Sequence, residues 1–89
     1  MNEADRPRLG KGVRLRRESD GNAMLLVPEG ALVLNASAAA TLDLVDGNRS
    51  IAEIAAAIVE RFDVEEQRAR EDVRELLERL VDRRLVETS

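Results

Sequence analysis

Histidine, cysteine, tryptophan and tyrosine are all missing from these 89 residues, and phenylalanine occurs once, as Phe62. Without His no side chain is ordinarily poised as a base at neutral pH, and without Cys there is no thiolate nucleophile and no disulfide. Ser-His and Cys-His catalysis are thereby excluded, together with zinc and iron–sulfur sites that rely on nitrogen or sulfur ligands. One Phe cannot build an aromatic cage or a base-stacking platform. No apolar run approaches the roughly 20 residues that cross a bilayer. The polar start MNEADRPRLG has no signal-peptide core, so a soluble, cytoplasmic chain without disulfides is expected.

What is present is aliphatic and charged. A chain of this length makes one domain and buries only about 60 to 65% of the surface its unfolded form exposes, which leaves little room for a deep catalytic cleft. Its core must come from Ala, Leu, Val and Ile packed between short elements. The net charge of −4 divides unevenly, with +4 on residues 1–17 and −8 on the remainder.

Residues 1–12 contain Pro7, Gly10 and Gly12 and show no period. They read as a flexible N-terminal arm, leaving 13–89 as the folded domain. Val13 and Leu15 then alternate with Arg14 and Arg16, as in a strand with one wet face. Asp20-Gly21 supplies a tight turn, a second strand runs from Ala23 to Val27, and Pro28-Glu29-Gly30 turns into a third, Ala31 to Leu34. That third strand is apolar on both faces, yet a simple meander puts it at an edge, without charge or proline to discourage pairing. Something should cover or extend it.

Beyond Asn35 the period lengthens. Asn35 is a good N-cap for a short helix carrying Ala38, Leu42 and Val45 and stopping near Asp46-Gly47. Ser50-Ile51-Ala52-Glu53 fits a capping box, followed by the stripe Ile51, Ile54, Ala55, Ile58, Phe62. Asp63 with Glu66 repeats the cap pattern ahead of a third helix striped by Ala69, Val73, Leu76, Leu77 and Leu80, and Leu85-Val86 should tuck back onto the core. The expected fold class is α+β: a winged-helix-like, three-stranded antiparallel sheet followed by three helices.

Carboxylates are the only abundant reactive groups. On the third helix Glu66 and Glu75 stand four residues before Arg70 and Arg79, and Glu71 three before Arg74, a pattern that decorates a solvated face at about 0.2 to 0.5 kcal/mol per pair. The doublets Glu65-Glu66 and Glu71-Asp72 do not match a calcium loop, and Gly10-Lys11-Gly12 is not a phosphate loop. Neither enzymatic activity, a metal nor a cofactor is expected. In a winged helix the third helix would enter the major groove, but residues 63–83 carry a net −3, which phosphates would repel, so no nucleic-acid partner is expected. What remains is the edge of the third strand, to which an extended peptide could add. Two other fates are open: the third helix packs over that edge, or two copies pair through it.

The segments RPRLGKGVRLR, LLVPEGALVLNASAAATLDLVDG, SIAEIAAAIVERFDV and LLERLVDRRLV, spanning about Arg6 to Val86, resemble the PqqD family, peptide chaperones of pyrroloquinoline quinone (PQQ) biosynthesis. The resemblance implies a noncatalytic recognition domain. It would bind the ribosomal precursor peptide PqqA and deliver it to the radical SAM enzyme PqqE, which crosslinks a Glu and a Tyr of the peptide. Carried onto this chain, it places the bound strand beside Ala31, Leu32, Val33, Leu34 and Asn35. The third helix would face it with Arg70, Val73, Arg74 and Leu77, positions chosen by periodicity. The basic strand, Arg14, Arg16 and Arg17, is assigned to docking the enzyme. Two departures stand out: Ala23-Met24 where family members often carry an aromatic, and Arg84 where they carry Gly. The second costs about 1 kcal/mol if the backbone there is left-handed. Alternatives are a recognition domain of another modified-peptide pathway and an edge-to-edge homodimer, with a monomer expected over a dimer.

Overall fold

The alternation of arginine with Val and Leu, and the turn at Pro28-Glu29, produce the meander they predict. In a computed structural model that describes residues 1–18 and 22–88, four strands precede the helices: β1 (Arg8–Leu9), β2 (Arg14–Arg17), β3 (Ala23–Val27) and β4 (Gly30–Leu34). The turn expected at Asp20-Gly21 lies outside the described residues. Strands β2, β3 and β4 form an antiparallel sheet in that order. Leu15, Leu25 and Leu32 stand opposite one another, as do Arg17, Ala23 and Leu34, and the apolar members of these rows pack into the core. The intervening rows, Arg14–Leu26–Ala31 and Arg16–Met24–Val33, face the other way because successive side chains of a strand alternate.

Three helices follow. In α1 (Ala36–Asp43) Asn35 caps as expected, its Oδ1 accepting from the Ala38 N–H at 2.9 Å. The helix stops short of Asp46-Gly47. Asp46 instead organises the next loop, accepting from the N–H groups of Asn48 (2.9 Å) and Arg49 (3.1 Å). These two bonds, the first the larger cause, hold its carboxyl below the usual carboxylate range.

In α2 (Ile51–Phe62) each of the first four N–H groups finds an acceptor. Ile51 and Ala52 donate to the carbonyls of Asp5 and Glu3, both at 3.0 Å; Glu53 donates to Ser50 Oγ at 3.2 Å and Ile54 to the Ser50 carbonyl at 3.0 Å. The capping box closes when Glu53 Oε1 accepts from the Ser50 N–H at 2.8 Å, which depresses the Glu53 pKa.

Asp63 does not cap the third helix. It ends α2 in the left-handed conformation, with φ 52°, and α3 (Glu66–Asp82) starts behind Glu65 without a side-chain cap bond. The sequence Asp-x-x-Glu fits either role, and the need to end α2 wins here.

After α3, β5 (Val86–Glu87) pairs with β1 antiparallel, so the segment expected as an arm is stitched down. Pro7 is buried, its carbonyl accepts from Gly47 N–H at 2.8 Å, and Gly10 N–H donates to the Leu85 carbonyl at 2.8 Å. Two-residue strands have no period to read, which is why this pair is silent in the sequence. One aliphatic core unites the elements: Ala23, Leu25 and Leu34 of the sheet, Leu42 of α1, Ile51, Ile54 and Ile58 of α2, Val73, Leu77 and Leu80 of α3, and Leu85 and Val86. No helix among the described residues is long and apolar enough to cross a membrane.

Candidate functional site

Strand β4 is terminal in its sheet, and among the described residues no strand pairs with its outer edge. Which of its backbone groups are unused follows from the ladder. Glu18 N–H donates to the Asn22 carbonyl at 2.9 Å, which makes that pair hydrogen-bonded; in antiparallel pairing such pairs alternate along the register, so Met24 and Leu26 also bond to β2. Ala23, Leu25 and Val27 therefore bond to β4, through Leu34, Leu32 and Gly30. The N–H and C=O groups of Ala31 and Val33 point outward. Val33 is 79% exposed, and among the described residues no strand covers this stretch of edge.

Where β4 ends, a groove of about 510 Å³ opens between α1 and α3. Its lining is mixed: the apolar part comes from Ala38 of α1, Ile58 and Phe62 of α2, and Ala69, Val73 and Leu76 of α3, and polar or charged side chains supply nearly as much. Val64, in the turn between α2 and α3, and Asn35, the cap of α1, also line it. Asp72, Glu75 and Arg79 line it from α3, and Arg79 pairs with Glu75 at 3.4 Å. Thr41 is the buried polar residue of the wall, satisfied because its hydroxyl donates to the Ser37 carbonyl at 2.8 Å. A groove of apolar patches and charged rim that continues an unpaired strand edge suits an extended peptide, with main-chain bonds on one stretch and side-chain selection on the next. Among the described residues no group of three or more acidic side chains is placed to hold a metal ion.

The residues expected from sequence divide accordingly. Ala31, Leu32, Val33 and Leu34 lie on the edge strand, but only Ala31 and Val33 offer unused backbone groups; Leu32 and Leu34 turn toward β3 and the core. Asn35 reaches the groove. On α3, Val73 lines it, whereas Leu77 is fully buried and has no surface for a ligand. Arg70 is on the opposite flank, beside Ala52, Ala55 and Val59 of α2 and paired with Glu3 and Glu66. Arg74 is exposed and outside the groove lining. Of the basic strand, Arg14 and Arg16 share the outer face, while Arg17 stands in the alternate row and pairs with Asp43 of α1 at 2.7 Å.

Asp72, Leu76 and Arg79 were not expected at the site. They lie at i, i+4 and i+7 on one border of the buried stripe of α3, with Arg70 and Arg74 along the other. The signal that could have found them is Leu76, an apolar residue adjacent to Leu77 and so turned roughly 100° from it.

Residues 22–86 match the model of the family described as coenzyme PQQ synthesis protein D (PqqD). The chain is 49% identical over 84 residues to the PqqA binding protein of Azotobacter vinelandii, spanning 93% of this chain and 90% of that one. It is 37% identical to the PqqA binding protein of Rhizobium meliloti, over 90% of this chain and 83% of the relative. The solution structure of the PqqD truncation of Methylobacterium extorquens PqqCD, a stand-alone recognition element for ribosomally synthesized, post-translationally modified peptides, superposes with a TM-score of 0.77 at 34% identity, covering 91% of this chain and 87% of that one. TbiB1, solved with the TbiA(β) leader peptide, shares the fold with a TM-score of 0.75 at 23% identity, over 90% and 94% of the two chains. With its winged-helix-like sheet and three helices, this chain belongs to the PqqD family.

Proposed function

We propose that this chain is a noncatalytic binding protein for the ribosomal precursor peptide PqqA, which it takes up as an added strand on β4 and presents to the radical SAM enzyme PqqE. The observation that carries this reading is the outward-facing backbone of Ala31 and Val33 beside the groove between α1 and α3. Backbone pairing supplies affinity for any extended segment, and the groove selects among segments by side chain. Relatives that are 49% and 37% identical are named for binding PqqA, which supports the choice of peptide. Holding peptide and enzyme together raises their effective concentration, so the chain needs no reactive group of its own. The cytoplasm suits such a role, since the precursor is made there. A monomer serves it best, because pairing two copies through β4 would consume the binding edge.

Titrating PqqA into isotope-labelled protein should shift the amides of residues 31–35 and of the groove side of α3 from Ala69 to Arg79. Unmoved amides in both places would refute the site. Val33→Pro removes one outward N–H while leaving the bonds to β3 intact. It should weaken PqqA binding about tenfold, the worth of one or two hydrogen bonds. Leu32→Pro, which breaks the ladder itself, should unfold the sheet.

A further inference from the structure

An antiparallel sheet with one face in solvent ordinarily carries polar residues there, and an edge strand above all carries charge. Here the outward rows of β3 and β4 hold Met24, Leu26, Ala31 and Val33, and charge appears only on β2, at Arg14 and Arg16. Met24 and Leu26 are half-buried, whereas Ala31 and Val33 are exposed, so apolar surface is barest at the unpaired edge. The same two residues point their N–H and C=O groups away from β3. An added strand therefore sets one residue beside each of them, two apart in the peptide. The side chains of those two residues fall on the outer face and extend the rows Met24–Val33 and Leu26–Ala31. The residue between them turns inward with Leu32.

We propose that Val33 and Ala31 are specificity-determining residues, whose side chains select peptides with apolar residues at two positions spaced by two: β-branched beside Val33, long or aromatic beside Ala31. The inference rests on the strand-addition reading above and adds a source of selection on the outer face, apart from the groove. Side chains directly opposite on one face of a sheet have Cβ atoms about 4.5 to 5.5 Å apart, close enough for apolar pairs to gain from contact. Val33 is 79% exposed, so a β-branched neighbour removes from water apolar surface that β3 does not cover. Ala31 is the short member of its row. A long or aromatic side chain beside it lies across Ala31 toward Leu26, two strand spacings or about 10 Å away. A charged residue at either position meets apolar neighbours on β4 and β3, with Arg14 and Arg16 a strand further off.

The test measures, by calorimetry, the affinity of wild type, Val33→Glu and Ala31→Glu for PqqA and for PqqA peptides carrying Lys at one position at a time. With wild type, Lys should weaken binding about threefold at each of the two outer-row positions. Val33→Glu should reverse the preference at one of them, a coupling of about tenfold in the double-mutant cycle, and Ala31→Glu at the other, two residues away. Should a Glu variant lose its fold, Val33→Lys and Ala31→Lys with Glu-substituted peptides carry the same comparison with the charges exchanged. Coupling that is absent, spread evenly along the peptide or centred on positions not two apart overturns the selection, while slowed exchange of the Ala31 and Val33 amides under PqqA keeps strand addition standing. Failure of wild type to bind PqqA overturns the reading beneath both.

Discussion

Arg84 sits at φ 61°, in the left-handed region that penalises any side chain with a Cβ. Its place follows from the end of α3: Leu85 N–H donates to the Leu80 carbonyl at 2.8 Å and Arg84 N–H to the Val81 carbonyl at 2.9 Å, the two bonds of a Schellman motif, with Leu80 and Leu85 both buried. The turn then delivers Leu85 to Gly10, whose lack of a side chain matters because a Cβ there would lie 2.9 Å from the Arg84 carbonyl oxygen. Arg84→Gly should therefore stabilise the chain by about 1 kcal/mol and raise the melting temperature by about 4 to 8 °C in a thermal scan. No change would mean that the strain is relieved elsewhere. Here the sequence was legible, since the likeness to the family marked Arg84 as a departure. Asp63 was not, because a residue that ends one helix in the left-handed region looks the same on paper as one that caps the next.

At the scale of elements, α2 was the most readable because capping chemistry and apolar period agree on it. The capping box also gives it an acid dependence. The Ser50 N–H, followed by the Ser50 hydroxyl, lowers the pKa of Glu53, so its stabilising contribution is complete above the unfolded-state pKa and is lost as pH falls through the lower folded value. Glu53→Gln keeps an acceptor at that position and removes the titration. Its melting temperature should fall less than that of wild type between about pH 5 and about pH 3, and parallel curves would contradict the linkage. Helix α3 was readable as a helix but not as a wall. A stripe of apolar residues marks what the core takes, and Ala69, Val73, Leu77 and Leu80 are indeed buried. The groove lies along the border of that stripe, at Asp72, Leu76 and Arg79, where hydrophobic period gives way to charge and pattern alone does not choose a side. The edge strand β4 was legible because apolarity on both faces is anomalous there. Its alternating backbone was not, since it depends on the register with β3.

For the whole molecule, the N-terminal segment matters more than its composition suggests. Three of its carbonyls, of Glu3, Asp5 and Pro7, accept from the start of α2 and the loop before it, and β1 closes against β5. Side chains leave no trace of such main-chain bonds, which is why Pro7 and Gly10 read as loop punctuation. Deleting residues 1–9 should cost about 2 to 4 kcal/mol in urea unfolding, the sum of several backbone bonds at about 1 kcal/mol each, and an unchanged midpoint would show the segment to be dispensable. Strand β4 is held in register by β3, and among the described residues its outer edge is unpaired. Amide hydrogen exchange of the chain with and without PqqA tests that arrangement most directly. Bound peptide should slow exchange at Ala31 and Val33, whose N–H groups point outward, and change little at Leu32 and Leu34, which are already bonded to β3. Saturating peptide that leaves Ala31 and Val33 exchanging as fast as before would contradict strand addition at β4.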